Sequence, residues 1–318
     1  MFSKDKEKKS IRSAYGKTLA ELGGVNPDIV VLDADLSCST QTKVFAQSYP
    51  DRFFNMGIAE QNMMATAAGL AREGKIPFAS TFAMFASGRA WEQIRNSIAY
   101  SNFNVKIVAT HGGITVGEDG ASHQALEDIS IMRSIPDMMV VVPCDYNETV
   151  SVIKYAAEHK GPMYIRLART SVVSVFDESY EFNPKKAVVI KEGRDLTVIT
   201  NGETLAEVMD SSDILAEKGI DIEIIHAPVV KPIDKDTVIS SVKKTGFVVT
   251  VENHSVVGAL GSAICEVLSE NYPAKVFRIG INDEFGQSGE QRALMEYYGL
   301  TGEKLAKRIE EKYKEENK

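Results

Sequence analysis

Short, mainly apolar runs alternate with longer amphipathic stretches along the first half of the chain. Nearly continuous apolar runs of this length indicate strands that are buried on both faces, and the stretches between them have helical spacing. The predicted strands cover residues 29–32, 77–80, 105–109, 139–142 and 163–166, and the predicted helices cover residues 60–73, 87–101, 124–134 and 148–159. Strands that alternate with helices predict a parallel sheet covered by helices on both faces.

The same alternation resumes after an irregular polar stretch. Residues 173–186 are interpreted as a linker between a first domain, residues 1–172, and a smaller second domain, residues 187–318. In the second domain the pattern predicts strands at 196–200, 220–225, 247–251 and 276–279, and helices at 205–217, 236–244, 260–271 and 302–318. The fold class is therefore expected to be α/β, with two doubly wound sheets.

Composition narrows the range of functions. The 318 residues are 44% hydrophobic and 25% charged, which is typical of a globular protein with a sizeable core. A net charge of -8 disfavours nucleic acid and anionic membranes as partners. The chain has no apolar run as long as a membrane span and no signal peptide is visible. Its three cysteines, which are far apart, fit a reducing compartment, so we expect a cytoplasmic protein.

Glu60 is the first candidate for chemistry, because it follows a short strand and precedes a helix of small residues. An acid in the first turn of a helix is favoured by the helix dipole, so Glu60 alone could be a plain N-terminal charge. Phe82 and Phe85 lie three residues apart where a strand runs into a helix, so both can face one side. An isolated pair is typical of a core, but a pair near an acid can also stack on a planar ligand. Together these residues predict a site for a flat heterocycle.

A second candidate region begins at His111, which ends a predicted parallel strand. Ligands of open α/β sheets bind at the carboxyl ends of strands. The following loop, residues 112–123, is long for such a connection and also carries Asp119 and His123. These residues predict a site that moves protons beside its ligand.

Other site types find less support. Two histidines and Asp119 could ligate a metal, but no third ligand follows at a diagnostic spacing, so no metal ligand is predicted. The chain has neither a nucleophile elbow nor a phosphate-binding P-loop. Arg89, Trp91 and Arg95, on the helix after Phe85, are interpreted as packing and surface charge.

Several segments together strongly resemble the C-terminal half of transketolase, and the resemblance covers essentially the whole chain. In the first domain they are Asn55-Met56-Gly57-Ile58-Ala59-Glu60-Gln61-Asn62, Ala109-Thr110-His111 and Val116-Gly117-Glu118-Asp119-Gly120. In the second domain, Val249-Thr250-Val251-Glu252-Asn253-His254 followed by Gly258-Ala259-Leu260-Gly261 resembles the signature of that domain. The resemblance implies a thiamine diphosphate pyrimidine-binding domain followed by a transketolase C-terminal domain.

The resemblance also implies which residues would contact the cofactor. Glu60 matches the glutamate that hydrogen-bonds a ring nitrogen of the aminopyrimidine. Phe82 and Phe85 match the aromatic residues that pack against this ring, and Asp35 matches a position near the cofactor and the subunit interface.

The substrate residues follow in the same way. Asp119 and His123 match positions that contact the first hydroxyls of the sugar. The positions that match contacts to a sugar phosphate are Arg12, Ser39, His111 and Arg169. Arginine suits a phosphate because its planar fork donates two hydrogen bonds at once. The expected catalytic residues are therefore Glu60, His111, Asp119 and His123.

One part of the family site is missing. The diphosphate half needs a Gly-Asp-Gly motif that holds Mg²⁺, and this chain contains no such motif. The resemblance therefore implies an N-terminal transketolase subunit as partner, which carries the diphosphate and Mg²⁺ site, with two copies of each chain. The implied reaction transfers a two-carbon ketol unit from a ketose phosphate to an aldose phosphate.

Three other functions remain open. The beta subunit of a 2-oxoacid decarboxylating complex and deoxyxylulose-phosphate synthase share the triplet Ala59-Glu60-Gln61. Sites of the 2-oxoacid complexes bind no sugar phosphate, which would leave His111 and Arg169 without a role. A non-catalytic regulatory subunit is the remaining alternative, and the presence of all the catalytic candidates disfavours it.

Overall fold

The computed structural model describes residues 1–3 and 6–316. Its strands are β1 (Lys8–Ser10), β2 (Ile29–Asp33), β3 (Phe53–Asn55), β4 (Ile76–Phe82), β5 (Lys106–Thr110), β6 (Met139–Val141), β7 (Met163–Arg166), β8 (Ser171–Val173), β9 (Val188–Lys191), β10 (Leu196–Thr200), β11 (Ile222–His226), β12 (Val229–Lys231), β13 (Val248–Ser255) and β14 (Val276–Ile281).

The helices of the first half are α1 (Ile11–Val25), α2 (Ser37–Thr40), α3 (Lys43–Ser48), α4 (Glu60–Arg72), α5 (Trp91–Gln93), α6 (Asp128–Arg133) and α7 (Tyr146–Glu158). Those of the second half are α8 (Thr204–Glu217), α9 (Lys235–Thr245), α10 (Leu260–Asn271), α11 (Gln291–Tyr297) and α12 (Gly302–Glu316). Two π-helical turns, Phe85–Arg89 and Ile94–Ala99, flank α5, and 3-10 turns cover Pro50–Arg52 and Ile114–Asp119.

A seven-stranded sheet forms the centre of the first domain, in the order β12-β6-β7-β5-β4-β2-β3. All its strand pairs are parallel except β12 with β6. Side chains of a strand alternate between the faces of the sheet. Val30 and Leu32 accordingly pack in one core cluster, with α4 and α6, and Ile29 and Val31 pack in another, with α1 and α7. Burial on both faces explains why the strands are apolar without interruption.

The second sheet has the order β14-β13-β10-β11-β9. Strand β9 pairs antiparallel with β11, and the other pairs are parallel. Helices on both faces complete two further core clusters. The predicted α/β class is confirmed for both sheets.

Several local predictions differ from the structure. The predicted helix at 87–101 is interrupted by π-helical turns, and the helix predicted from residue 124 begins only at Asp128. The predicted last helix reaches Glu316, and residues 317 and 318 lie outside the described residues. Strand β12 belongs in sequence to the predicted second domain, yet it pairs with β6 at the edge of the first sheet. Three residues are too few to show a period, which is why the pattern misses this strand.

Buried polar groups join the two domains. Arg166 at the end of β7 donates from Nε to Asp128 Oδ2 at 2.9 Å and from a terminal nitrogen to the carbonyl oxygen of Asn253 at 2.9 Å. Both side chains of this ion pair are almost fully buried. A buried pair of this kind is costly to break, because removing one partner leaves an uncompensated charge.

A second junction contains Cys144, Glu148 and His226, all buried, with donor atoms within 4.8 Å of one another. Glu148 Oε2 accepts a hydrogen bond from the backbone nitrogen of Cys144 at 2.7 Å and lies 2.8 Å from His226 Nε2. We interpret this group as a hydrogen-bonded link between α7 and β11. Within the described residues, no helix combines the length and apolar character that crossing a membrane requires.

Candidate active site

The candidate residues lie along one edge of the seven-stranded sheet. The neighbouring strands β7, β5, β4, β2 and β3 are parallel, so their carboxyl ends share this edge. Phe82 ends β4, His111 follows β5 directly, and Glu60 begins the helix after β3. The winding of the chain reverses between β2 and β4, which is where open α/β sheets form a ligand crevice.

Glu60 is the first residue of α4, and its side chain is 2% exposed. Its Oε2 accepts a hydrogen bond from Arg89 at 2.8 Å. The Arg89 guanidinium also lies over the ring of Phe85, 4.7 Å from the centroid. Phe85 and Arg89 are the two ends of a π-helical turn, a winding that is rare and frequently found at functional sites. Surface charge alone therefore does not describe Arg89, contrary to the sequence interpretation.

Phe82 and Phe85 face the same side, as predicted, with nearly parallel rings 6.0 Å apart. The ring of His111 stacks on Phe82 with a centroid separation of 3.8 Å. The ring of His123 meets Phe85 edge-on at 5.3 Å, and its Nδ1 lies 2.9 Å from Ser122 Oγ. The structure thus brings both histidines to the aromatic pair.

Arg12 and Arg169 meet because of a short strand pair. Strands β1 and β8 are antiparallel, with Ser10 opposite Ser171. Arg12, two residues after β1, therefore approaches Arg169, two residues before β8. Arg12 donates to the backbone oxygen of Ser39 at 2.6 Å, and its Nε is buried without a partner in the described chain. The predicted phosphate residue Ser39 therefore contacts Arg12 through its backbone, not its hydroxyl.

Arg169 donates to the backbone oxygen of Val116 and, at 3.0 Å, to Glu118 Oε2. Burial, followed by the charge of Arg169, lowers the pKa of Arg12. Two neighbouring arginines, one of which has an unused buried donor, are suited to bind an anion.

His111 connects the aromatic pair with the arginine pair. Burial, followed by the charges of Arg12 and Arg169, lowers its pKa to about 3. Its Nδ1 lies 2.8 Å from Thr110 Oγ1. The backbone of His111 has a φ of 61°, a left-handed conformation that is uncommon for a residue with a side chain and recurs at functional sites.

Two predicted residues lie outside this cluster. Asp35 is exposed after β2 and accepts a hydrogen bond from Asn55 at 2.9 Å. Asp119 is exposed at the end of the 3-10 turn Ile114–Asp119, and none of the described contacts joins it to the histidines or to Glu60. We call residues 112–123 the active-site loop, because His111 precedes it and His123 ends it.

Sequence reasoning missed Arg89 as a partner of Glu60. Its spacing of four residues from Phe85 predicts a shared helix face, but α4 and the π-helical turn are brought together only by the fold. In the sequence, Asn253 stands out only as part of a motif. In the structure its Oδ1 accepts a hydrogen bond from the backbone nitrogen of Ile114 in the active-site loop at 3.0 Å.

Comparison with known proteins identifies the family of the chain. The model of the transketolase pyrimidine-binding domain matches residues 7–173, and the model of the transketolase C-terminal domain matches residues 185–305. A protein from Methanocaldococcus jannaschii, described as a transketolase C-terminal section, is 54% identical over 97% of this chain and 98% of its own length. A 6-deoxy-6-sulfo-D-fructose transketolase subunit from a Clostridium species is 42% identical over 95% of this chain and 94% of its own length.

A solved structure described as an inactive beta4 tetramer of a split gene transketolase has the same fold. It superimposes with a TM-score of 0.88 at 51% identity, covering 96% of this chain and 98% of that chain. These matches confirm the resemblance that the sequence motifs indicate. The chain therefore belongs to the transketolase family and consists of a pyrimidine-binding domain followed by a transketolase C-terminal domain.

Proposed function

We propose that this chain is the C-terminal subunit of a split transketolase, which transfers a two-carbon ketol unit from a ketose phosphate to an aldose phosphate. One observation carries the proposal. At the carboxyl edge of one sheet lie a buried acid with stacked aromatic rings and, beside them, a pair of arginines. His111 lies between these two groups. The first group suits a flat heterocycle and the second suits an anion, and ketol transfer between sugar phosphates needs both.

The residues present fit the pyrimidine half of thiamine diphosphate, on which the transketolase family depends. Glu60 offers a buried carboxylate to a ring nitrogen, and Phe82 and Phe85 offer apolar faces that exclude water from a planar ring. When bound, the cofactor supplies the electron sink for breaking and making carbon–carbon bonds. We propose that a partner subunit holds its diphosphate with Mg²⁺, because the chain has no Gly-Asp-Gly motif.

We assign the substrate to the arginine pair and the histidines. Arg12 and Arg169 would hold the terminal anion of the sugar, with Ser39 supporting Arg12. Neutral His111 can donate a hydrogen bond to a sugar hydroxyl. Since Nδ1 of His123 is engaged with Ser122, its Nε2 is the nitrogen left to move a proton at the sugar. Asp119, on the same loop, would contact the first hydroxyls of the sugar.

The proposal specifies a ketose with a terminal anion but not which sugar it is. One relative is named for 6-deoxy-6-sulfo-D-fructose, and another, from Phocaeicola vulgatus, for apulose 4-phosphate. Both names describe a sugar with a terminal anion, which suits two arginines. We place the protein in the cytoplasm on the basis of its three unpaired cysteines.

The substitution Glu60→Gln tests the cofactor half of the proposal. It keeps the size of the side chain and removes its charge, so we expect kcat for ketol transfer in the assembled complex to fall by about 10²- to 10⁴-fold. The matched control is Glu73→Gln, an exposed glutamate after the other end of α4, which should leave kcat unchanged. Near-normal turnover by the Glu60→Gln complex would contradict the assignment.

The substitution Arg169→Gln tests the anion half and separates transketolase from a 2-oxoacid decarboxylating subunit. Losing a charged donor to phosphate should lower kcat/KM for ketose phosphates by about 10- to 100-fold. The same variant should use the unphosphorylated ketose L-erythrulose as well as the wild type does. Pyruvate-dependent dye reduction without ketol transfer in the wild-type complex would favour the 2-oxoacid alternative.

A further inference from the structure

Asn253 joins the second domain to the active-site loop. It lies in β13 and is 3% exposed. Its Oδ1 accepts a hydrogen bond from the backbone nitrogen of Ile114 at 3.0 Å, and its Nδ2 donates to Glu203 Oε1. The oxygen of this amide therefore bonds to the loop, and its nitrogen bonds to another residue of the second domain.

Glu203, just before α8, extends the same attachment. Its Oε1 also accepts a hydrogen bond from Thr115 Oγ1 at 2.8 Å. Two successive loop residues, Ile114 and Thr115, are thus held by one Asn253–Glu203 pair. Two attachment points fix the orientation of a segment as well as its position, and orientation is what a reacting site requires.

Gly113 shows how closely the loop fits this pair. Its φ of 79° is left-handed, and a Cβ at this position would lie 2.6 Å from Asn253 Oδ1. A residue with a side chain would meet both backbone strain and a collision. The start of the loop is therefore built against the Asn253 amide.

The second domain also contacts the rest of the loop. Ser288 Oγ donates to the backbone oxygen of Glu118 at 2.6 Å. Gln124, directly after the loop, donates from Nε2 to the backbone oxygens of Ile114 at 3.1 Å and Gln287 at 3.0 Å. The loop is held on its outer side by the second domain, and His111 and His123 at its two ends face the aromatic pair.

We propose that Asn253 is a positioning residue, which together with Glu203 holds the active-site loop so that His111 and His123 keep their places at the substrate. The catalytic consequence rests on the proposed function, whereas the attachment itself does not. The second domain would thereby serve ketol transfer through the position of the loop.

The substitution Asn253→Asp is the most selective test. It keeps the size and the acceptor for Ile114, but it places a second carboxylate against Glu203 where a donor was. We expect amide hydrogen exchange in residues 112–123 of the chain alone to become faster by about tenfold, while exchange in β10 and β13 stays unchanged. In the assembled complex, kcat should fall by about tenfold with less than a threefold change in the donor KM.

The double substitution Asn253→Asp with Glu203→Gln should restore both readouts, because the new amide donates to the new carboxylate. Lowering the pH should also recover activity in the single variant, since a shared proton can bridge two carboxylates. The control is Asn183→Asp at an exposed position, which should change nothing.

Unchanged loop exchange in Asn253→Asp, or uniformly faster exchange that the double variant does not correct, would overturn the proposal. If the wild-type complex transfers no ketol unit, the proposed function fails. Amide hydrogen exchange in the active-site loop, and its recovery in the double variant, then test the positioning role independently of activity.

Discussion

At the scale of single residues, the structure constrains both the backbone and the charge of His111. Its backbone is left-handed, its ring stacks on Phe82, and it lies beside two arginines. Burial lowers the pKa of its imidazole and so disfavours a second proton on the ring. A neutral imidazole offers one donor and one acceptor, whereas an imidazolium would add a third positive charge beside Arg12 and Arg169. We therefore propose that His111 serves the site as a neutral hydrogen-bonding group.

We predict that His111 does not titrate between pH 5 and pH 8, because its pKa is lowered to about 3. NMR of the chain labelled with ¹³C-histidine measures this, and the His111 signal is assigned by its disappearance in His111→Gln. A titration midpoint between pH 5.5 and 7.5 would contradict the prediction.

The sign of the linked stability change follows from the same shift. The unfolded chain binds a proton at His111 near pH 6.5, and the folded chain does so only near pH 3. Stability from neutral His111 is thus fully present above pH ~6.5 and is lost as the pH falls toward 3, by up to about 1.4 kcal/mol per pH unit.

At the scale of elements, the connection after β2 depends on the buried carboxylate of Asp33. Its Oδ1 accepts a hydrogen bond from the backbone nitrogen of Leu36 at 2.6 Å, and its Oδ2 accepts from the hydroxyls of Thr40 and Thr42 at 2.7 and 2.8 Å. These bonds fold the connection that carries Ser39, which in turn accepts from Arg12. Asp33 therefore supports the proposed anion site indirectly, through the backbone of Ser39.

We predict that Asp33→Ala lowers the free energy of unfolding by about 2–3 kcal/mol, because buried donors lose their acceptor. The KM for a ketose phosphate should rise in the same variant, since Ser39 no longer supports Arg12. Urea unfolding and steady-state kinetics measure the two effects. Asp51→Ala, at an exposed position, is the control, and equal effects in both variants would contradict the role of Asp33.

Comparison of elements shows what the sequence could predict. The strands that carry the site are apolar on both faces, so the pattern locates β2, β4, β5, β6 and β7 to within a few residues. Strands β1 and β8 have three residues each and no readable period. The meeting of Arg12 and Arg169 depends on that strand pair, so only the resemblance to a family could indicate it.

The same limit applies to the partners of single side chains. The spacing of Phe82 and Phe85 predicts that they share a side, because one helical turn relates them. Arg89 reaches Glu60 and Asn253 reaches Ile114 across 29 and 139 residues of chain. Contacts at such separations are set by topology, which local pattern does not contain.

At the scale of the whole molecule, the two domains are closely interlocked. Strand β12 adds residues of the second half to the first sheet, and Arg166 bonds both Asp128 and Asn253 in the buried junction. The contacts of Asn253 and Ser288 continue this junction into the active-site loop. We therefore regard the second domain as part of the catalytic unit.

Under the proposed function, such a unit holds only half of a cofactor site. It offers the acid and the aromatic faces for the pyrimidine, but no Gly-Asp-Gly motif for the diphosphate and its metal. The relative described as a beta4 tetramer is named as inactive and split, which fits a protein whose site is completed by another chain.

Calorimetry of thiamine diphosphate binding in the presence of Mg²⁺ tests this split site most directly. The titration is made with this chain alone, with its candidate N-terminal partner alone, and with the mixture. We predict binding at least about 100-fold tighter in the mixture than in either chain, which corresponds to about 2.7 kcal/mol. Equally tight binding by this chain alone would show that it holds the diphosphate itself, and would contradict the proposed division of the site.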